Sequence, residues 1–251
     1  MFAVDLHAHI RFFHGHRALG DRFDPVGVRL LARVASWRGL DGVATTNPDY
    51  YTPFDRVEGS ASVERRNIPG SRATIISGIE VSTTHGHVLV VGPDPPRETV
   101  PLEYTPAEVV EMAHDRGCVA IVAHPFRNST VATLEEVPFD AIEINGKHPR
   151  TQPLVERLAR KRDLPLVAGS DAHYPFEVGR AYTLIDADEL TPESVVAAIR
   201  DGRVDVRIAR RPVDRLLRRG YRAVHRRKHP GDVLAQPTPG IGEPPEPERE
   251  S

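Results

Sequence analysis

Apolar and polar positions along the chain follow two spacings, one typical of strands and one typical of helices. Short apolar runs predict strands at 1–6, 42–46, 73–77, 79–82, 87–91, 118–123, 140–144, 164–168, 181–185 and 204–208. Apolar residues at helical spacing fill most of the intervals, and Thr105 and Thr191 each begin such a segment as an N-cap. Strands that alternate with helices favour a parallel sheet, and this number of strands predicts a closed or nearly closed (β/α) barrel.

The composition is that of an ordinary globular protein, with 39% hydrophobic and 27% charged residues. The 251 residues suffice for one large domain with a substantial core. A net charge of -2 gives no overall attraction to nucleic acid or membrane, and the single cysteine, Cys118, excludes an internal disulfide. Because we find no signal peptide or long apolar span, we expect a cytoplasmic protein without a membrane partner.

The C-terminal part of the chain has a different pattern. Residues 207 to 228 contain ten Arg or Lys and a single acid, Asp214, together with an apolar stripe, which predicts an amphipathic helix with a basic face. From residue 229 the chain is rich in proline, glycine and glutamate without apolar periodicity. We therefore expect a barrel domain at 1–210, a basic helix packed on it at 211–228, and a disordered tail at 229–251.

Residues that bind metal ions in proteins stand at the ends of several predicted strands. His7 and His9 follow the first strand, where residues i and i+2 of an extended chain project to the same face. The further candidates are His14, Glu80, His87, His124, Asp171 and His173. The C-terminal ends of the strands of a parallel barrel share one mouth, so we expect these side chains to converge there.

Most of the candidate ligands are imidazoles, which suit zinc, manganese or iron better than magnesium or calcium. Glu80 and Asp171 are the clear carboxylates among them. Two divalent ions held by two carboxylates leave a net positive site, which favours an anionic substrate such as a small phosphate ester. Paired ions can hold a bridging hydroxide as the nucleophile while they neutralise the phosphoryl oxygens.

Seven short motifs, taken in their order along the chain, resemble those of the PHP (polymerase and histidinol phosphatase) family. They are Asp5-Leu6-His7-Ala8-His9, His14-Gly15, Gly78-Ile79-Glu80, Gly86-His87, His124-Pro125, Glu143-Ile144-Asn145 and Ser170-Asp171-Ala172-His173. The resemblance spans roughly residues 2 to 185. It implies a distorted (β/α)7 TIM-like barrel, two or three divalent metal ions, and a metal-dependent phosphoesterase activity.

The resemblance also implies a role for each candidate ligand. The residues that would hold the first ion are His7, His9, Glu80 and Asp171. Glu80 would bridge to a second ion bound by His87 and His124, and His14 and His173 would belong to a third. By this pattern Glu80, Asp171 and His173 are also the expected catalytic residues.

Two positions depart from the family pattern. His14 stands where many members have an aspartate, and a histidine there can still bind a metal ion. The second motif, usually Thr-Asp-His-Asp, is Thr46-Asn47-Pro48-Asp49 in this chain, so Pro48 replaces a histidine with a residue that has no donor atom. We therefore expect two tightly bound ions and a weak or absent third.

The substrate is less defined than the reaction. Arg127 and Arg180 follow the motifs of His124 and His173 and are candidates to bind a substrate phosphate. Nucleotides, oligonucleotides and histidinol phosphate are all compatible with a positive site, so a nucleic acid is one open alternative. The rivals are an amide or lactone hydrolase, which the absence of a lysine at the predicted strand ends disfavours, and a non-catalytic RNA-binding barrel that uses the basic helix.

The predicted tail gives a first test. A chain shortened to end at Lys228 should keep its melting temperature and its activity, because residues 229–251 offer few apolar groups to bury and contain many prolines. Thermal unfolding of the full and shortened chains measures this. A loss of several degrees would show that the tail packs against the domain.

Overall fold

The computed structural model describes residues 1–10, 25–50, 70–127 and 129–209. Within these ranges the chain forms nine strands, β1 Phe2–Ala8, β2 Gly42–Pro48, β3 Thr74–Thr83, β4 Gly86–Val91, β5 Val119–Val122, β6 Ala141–Asn145, β7 Leu166–Gly169, β8 Ala181–Ile185 and β9 Val204–Ile208. The α-helices of the same ranges are α1 Pro25–Trp37, α2 Pro106–Asp115, α3 Gln152–Arg162 and α4 Pro192–Arg200. His14, the basic segment 211–228 and the tail 229–251 lie outside the described residues.

The helices and strands lie where the apolar pattern predicts them, apart from shifts of a few residues at their ends. The runs at 73–77 and 79–82 form one strand, β3, that continues through Gly78. The N-caps are also confirmed, since the side chains of Thr105 and Thr191 accept from the backbone N–H groups of Glu108 and Ser194. None of the described helices has both the length and the apolar character to cross a membrane.

The nine strands form one curved sheet in the order β7-β6-β5-β4-β3-β2-β1-β8-β9. The sheet returns on itself, because the segment that follows β7 meets the end of β1. The backbone N–H of Asp171 donates to the carbonyl of His7 at 2.7 Å, and that of His9 donates to the carbonyl of Ala172 at 3.0 Å. The predicted α/β fold with a nearly closed, distorted barrel is therefore confirmed.

The expectation of a parallel sheet is only partly correct. β1, β2 and β3 pair in parallel, as do β5, β6 and β7. β4 is antiparallel to both of its neighbours, and β8 is antiparallel to β1 and β9. The short turn between β3 and β4 leaves no room for a crossover helix, so β4 must run back along β3.

Three apolar clusters hold the layers together. One draws residues from β1 to β8, among them Leu6, Ile76 and Ile121, and includes Val195 and Ile199 of α4. It fills the interior of the barrel and α4 closes one end. The other two clusters pack α2 and α3 against one part of the outer face and α1 against another. Burial of this apolar surface is the main force that stabilises the fold.

An irregularity in β1 sets the direction of its last side chains. Asp5 pairs with Val43 of β2, whereas Ala8 pairs with Thr45, so β1 has one residue more than β2 between these pairs. An extra residue in one strand is a β-bulge, and it reverses the alternation of side chains beyond it. The bulge lies between Asp5 and Ala8, so it includes His7, directly precedes His9 and affects where both side chains point.

Asp5 connects β1 to the segments that close the barrel. Its Oδ1 accepts from the backbone N–H groups of Ser170 at 2.8 Å and His7 at 3.2 Å, and its Oδ2 accepts from that of Gly179 at 2.9 Å. Burial raises the pKa of Asp5 to about 6, although these hydrogen bonds act to lower it. Gly169 allows the same closure, because a Cβ there would lie 2.3 Å from the Cβ of His7.

Replacing Asp5 with alanine should destabilise the protein strongly. Three buried N–H groups would lose their acceptor, and at about 1 kcal/mol or more for each, the cost is on the order of 3 kcal/mol. Denaturant unfolding of Asp5→Ala measures this, with the exposed Asp188→Ala as the matched control. Equal stability of the two variants would show that Asp5 does not hold the barrel closed.

Candidate metal centre

The strand ends bring seven of the eight candidate ligands to one end of the barrel. His7 and His9 come from the end of β1, and Glu80 and His87 from the antiparallel pair β3 and β4. The remaining three, His124, Asp171 and His173, follow β5 and β7. The eighth, His14, lies outside the described residues. The convergence expected from the strand pattern is therefore present in the structure.

One group of ligand atoms is formed by His7, His9 and Asp171, whose donor atoms lie within 4.8 Å of one another. Nε2 of His9 is 3.1 Å from Oδ1 of Asp171, and Nε2 of His7 is 3.8 Å from the same oxygen. All three side chains are buried. Two imidazole nitrogens and one carboxylate oxygen around a common point are a donor set for a transition-metal dication.

A second group surrounds the other side of Glu80. Its Oε1 is 2.8 Å from Nδ1 of His87, 3.0 Å from Nε2 of His124 and 3.6 Å from Nε2 of His7. Its Oε2 faces the first group, 3.7 Å from Nε2 of His9. The two oxygens of one carboxylate thus face two ligand groups, which is the arrangement that a bridging ligand requires.

A buried carboxylate orients the ring of His7. Nδ1 of His7 is 2.8 Å from Oε1 of Glu143, and Glu143 also accepts from the backbone N–H of His124 at 2.8 Å. This pairing places a proton on Nδ1 and turns Nε2 toward Glu80 and Asp171. Nε2 of His7, Nδ1 of His9 and Nδ1 of His124 are buried and make no hydrogen bond within the described part of the chain. A cation between His7 and the two carboxylates fits this arrangement.

The two candidate carboxylates are held in their ionised form. Burial alone would raise the pKa of Glu80, but the charges of His87 and His7 lower it well below its usual range. Burial alone would also raise the pKa of Asp171. The charge of Lys147, together with hydrogen bonds from His173 and His9, instead lowers that pKa well below its usual range. Both groups are therefore in the state that binds metal ions.

The imidazoles divide into two kinds. Burial lowers the pKa of His9 to about 4 and also lowers that of His124, so both rings are neutral. Burial alone would likewise lower the pKa of His7 and of His87. The charges of Glu143 and Glu80 raise the pKa of His7, and the charge of Glu80 raises that of His87. Both rings therefore face carboxylates whose negative charge favours a cation at this place.

The backbone at two of the ligands is in an unusual conformation. His124 has φ of 26° and Asp171 has φ of 52°, a region that residues with a Cβ rarely adopt. Such strain at strand ends is characteristic of functional sites and persists only where the surroundings fix it. The hydrogen bonds to Glu143 and to the carbonyl of His7 provide that fixation.

The polar side chains at the end of β2 and directly after it make structural contacts. Oδ1 of Asn47 accepts from the backbone N–H of Ile10 at 3.0 Å. Oδ1 of Asp49 accepts from Ser82 N–H and from the hydroxyl of Thr99, both at 2.9 Å. Asp49 therefore stabilises neighbouring segments and does not replace the histidine that Pro48 removes from the expected third metal position.

The two candidate arginines lie in different surroundings. Nη1 of Arg127 donates to Oδ2 of Asp171 at 3.2 Å, and its side chain is 46% exposed at the rim of the site. Arg180 is buried and donates to Glu177, whose other oxygen accepts from the backbone N–H of His173 at 2.9 Å. These contacts favour a positioning role for Arg180, while its contact with substrate stays a prediction.

Three residues at the end of β6 complete the site, and the sequence analysis gave none of them a role. Glu143 orients His7, and Nδ2 of Asn145 lies 3.4 Å from Oδ2 of Asp171. Nζ of Lys147 lies 3.1 Å from Oδ1 of Asp171. No lysine ends a strand within the described residues, since β6 ends at Asn145, but Lys147 lies two residues beyond it and reaches the site. The sequence did contain an indication that Glu143 and Asn145 belong to the site, because both are part of a motif at the end of a predicted strand.

Comparisons with known proteins agree with this geometry. A family model described as PHP-associated matches residues 149–204. Among solved structures, PsfC from Pseudomonas syringae PB-5123 is 18% identical, with a TM-score of 0.66, and the match covers 89% of this chain and 98% of that one. The match to the PHP-associated model confirms the resemblance to the PHP family, and PsfC shares the fold. No curated protein sequence matches the chain.

Two further structures share the fold, and the chain covers less than two thirds of the length of each. A two-domain protein containing a predicted PHP-like metal-dependent phosphoesterase, from Bacteroides vulgatus ATCC 8482, is 18% identical with a TM-score of 0.56, and the match covers 82% of this chain and 64% of that one. The lesion-specific endonuclease PfuEndoQ from Pyrococcus furiosus is 17% identical with a TM-score of 0.52, and the match covers 80% of this chain and 56% of that one.

The position of Glu80 predicts that it is required for metal binding. Glu80→Gln keeps the size of the side chain but removes the charge between the two ligand groups, so the variant should retain at most one of two bound ions per chain. Metal analysis after dialysis, by plasma mass spectrometry, measures this. The exposed Glu111→Gln is the control, and full metal content in Glu80→Gln would show that Glu80 is not a bridging ligand.

Proposed function

We propose that this chain is a metal-dependent phosphoesterase that hydrolyses a small phosphate ester, with two divalent ions of zinc, manganese or iron as its cofactors. The observation that carries the proposal is the position of Glu80 between two groups of buried ligand atoms. By the resemblance and the geometry, His7, His9, Asp171 and Glu80 would hold one ion, and Glu80, His87 and His124 would hold the other. The catalytic unit we propose is the barrel of residues 1–210, located in the cytoplasm.

The charge of the site favours an anionic substrate. Three buried carboxylates, Glu80, Glu143 and Asp171, lie in the site, and two cations, Arg127 and Lys147, contact Asp171. Two divalent ions would therefore leave the site positive. Bound dications would supply an activated water as nucleophile and would neutralise the phosphoryl oxygens.

The exposed groups define the side from which substrate approaches. His7, His9 and Glu80 are buried, whereas the side chains of His87 and Arg127 are 39% and 46% exposed. A phosphate ester that enters from this side meets Arg127 before it reaches the buried ligands. The guanidinium of Arg127 offers a planar pair of donors that suits phosphate oxygens.

His173 is the best-placed group for proton transfer to the leaving oxygen. Its Nδ1 lies 2.6 Å from Nζ of Lys147, 3.1 Å from the carbonyl oxygen of Asp171 and 3.3 Å from Oδ1 of Asp171, which leaves Nε2 as the ring nitrogen for the substrate. The side chain is 24% exposed and packs edge-on against His9, with the ring centroids 4.2 Å apart. In the form that carries a proton on Nε2, the ring can donate it to an alkoxide as the ester bond breaks.

The names of two structural neighbours support phosphate ester chemistry. One is called a PHP-like metal-dependent phosphoesterase, and the other is called a lesion-specific endonuclease. Both names describe the cleavage of phosphate ester bonds. An oligonucleotide therefore remains among the candidate substrates together with nucleotides and histidinol phosphate.

The rival functions are less well supported by the geometry. A binuclear amide or lactone hydrolase would use a modified lysine as the bridge, but Lys147 contacts Asp171 and His173, and Glu80 lies between the ligand groups. A non-catalytic RNA-binding barrel has no need of seven converged ligand residues. Both rivals become outcomes of the same experiment.

A substrate panel tests the proposal. The chain, stripped with chelator and reloaded with Mn²⁺, Zn²⁺ or Fe²⁺, should release inorganic phosphate or cleave a phosphodiester in at least one of the nucleotide, oligonucleotide and sugar or alcohol phosphate classes. Glu80→Gln should lower this turnover by at least about two orders of magnitude, as expected when a strong electrostatic stabiliser is removed.

The same panel includes lactones, amides and a single-stranded RNA. Hydrolysis of lactones or amides with no action on phosphate esters would show that the protein is an amide or lactone hydrolase and would overturn the proposal. RNA binding that is unchanged by chelation and by Glu80→Gln, without turnover of any ester, would replace it with a binding role.

A further inference from the structure

Lys147 brings a positive charge to the place where the PHP resemblance expects a third metal ion. Its Nζ is 2.6 Å from Nδ1 of His173, one of the residues expected to bind that ion, and 3.1 Å from Oδ1 of Asp171. Pro48 stands at another of the expected ligand positions and has no donor atom. The cation that the structure shows at His173 is therefore an ammonium group.

The backbone holds Lys147 in this position. Its own N–H donates to Oδ1 of Asn145 at 2.9 Å, and the N–H of Gly146 donates to the carbonyl of Gly169 at 2.8 Å. Its side chain is only 20% exposed. By contrast, Lys161 on α3 is 69% exposed and pairs with Glu135 on the surface. Lys147 is a fixed cation, whereas Lys161 is an ordinary surface lysine.

Asp171 lies between two cations. Lys147 contacts its Oδ1, and Nη1 of Arg127 contacts its Oδ2 at 3.2 Å. Oδ1 also faces Nε2 of His9, which belongs to the first ligand group. A substrate phosphate at the proposed metal pair would therefore lie beside an ammonium on one side and a guanidinium on the other.

We propose that Lys147 takes the place of the third metal ion in this protein and binds a phosphoryl oxygen of the substrate. The inference rests on the proposed function, since it assigns a ligand to the same site. An ammonium group has three N–H donors, and within the described residues Nζ of Lys147 has two polar neighbours, Oδ1 of Asp171 and Nδ1 of His173. The third donor can hold a phosphoryl oxygen, which makes the site one of two metal ions and one lysine.

The first test measures phosphate binding in place of turnover. Lys147→Met keeps the length of the side chain and removes its charge, and we expect the two-metal protein to bind inorganic phosphate at least about ten-fold more weakly by titration calorimetry. Lys147→Arg, which keeps the charge, should recover most of the affinity. Lys161→Met is the matched control and should bind phosphate like the native chain.

Metal analysis of the same proteins provides the second readout. The native chain should hold two ions after dialysis without phosphate, and Lys147→Met should hold at least two. Three ions in the native chain would overturn the inference, because the lysine would then not replace an ion. Unchanged phosphate affinity in Lys147→Met, or loss of bound metal in that variant, would overturn it as well.

These readouts separate the inference from the proposed function. Phosphate affinity and metal content can be measured whether or not any ester is turned over. A native chain that hydrolyses phosphate esters, with Lys147→Met binding phosphate normally, would retain the function and reject the role of Lys147. A native chain that hydrolyses no phosphate ester would reject the function, and the binding data would still decide whether Lys147 holds phosphate.

Discussion

The buried carboxylate of Glu80 is the group on which the rest of this site depends. Its two oxygens face the imidazoles of His7, His9, His87 and His124 at 2.8 to 3.7 Å. A charge removed from water is costly unless opposite charges or hydrogen bonds compensate for it. The surrounding imidazoles compensate in part as donors or as protonated rings, and divalent ions would do so more strongly.

The fold contributes specific features that hold these charges together. The bulge in β1 adjusts the direction of His7 and His9, and Gly169 lets β7 approach β1 closely. Asp5 ties the three segments at this closure with hydrogen bonds from backbone N–H groups. Glu143 fixes both the ring of His7 and the backbone of His124. The geometry of the ligands is thus set by groups that do not themselves face the proposed ions.

The sequence was sufficient to predict the strands, the helices and the convergence of the candidate ligand residues, because each depends on local patterns. Apolar runs of strand length end just before His124 and Asp171, and the position of a ligand at a strand end places it at the mouth of a barrel. Glu80 lies inside β3, level with Pro48 at the end of β2. The antiparallel course of β4 beside β3 also follows from a local signal, the tight turn at His85-Gly86 that returns the chain along His87 to Val91.

Contacts between distant residues could not be predicted in the same way. Lys147 and His173 are 26 residues apart, and their contact depends on the turn after β6 and on the closure of the sheet. Arg180 reads in the sequence as a surface or substrate residue, yet the chain buries it against Glu177. The β1 bulge also has no sequence signature of its own, because it results from the pairing with β2.

A crystal structure of the metal-loaded protein, with anomalous diffraction recorded at the absorption edge of the bound metal, tests the account most directly. The account predicts two anomalous peaks about 3.5–4 Å apart, as in other paired-metal sites, with one oxygen of Glu80 on each and Nζ of Lys147 beside His173. A single ion, or two ions of which neither contacts Glu80, would contradict it.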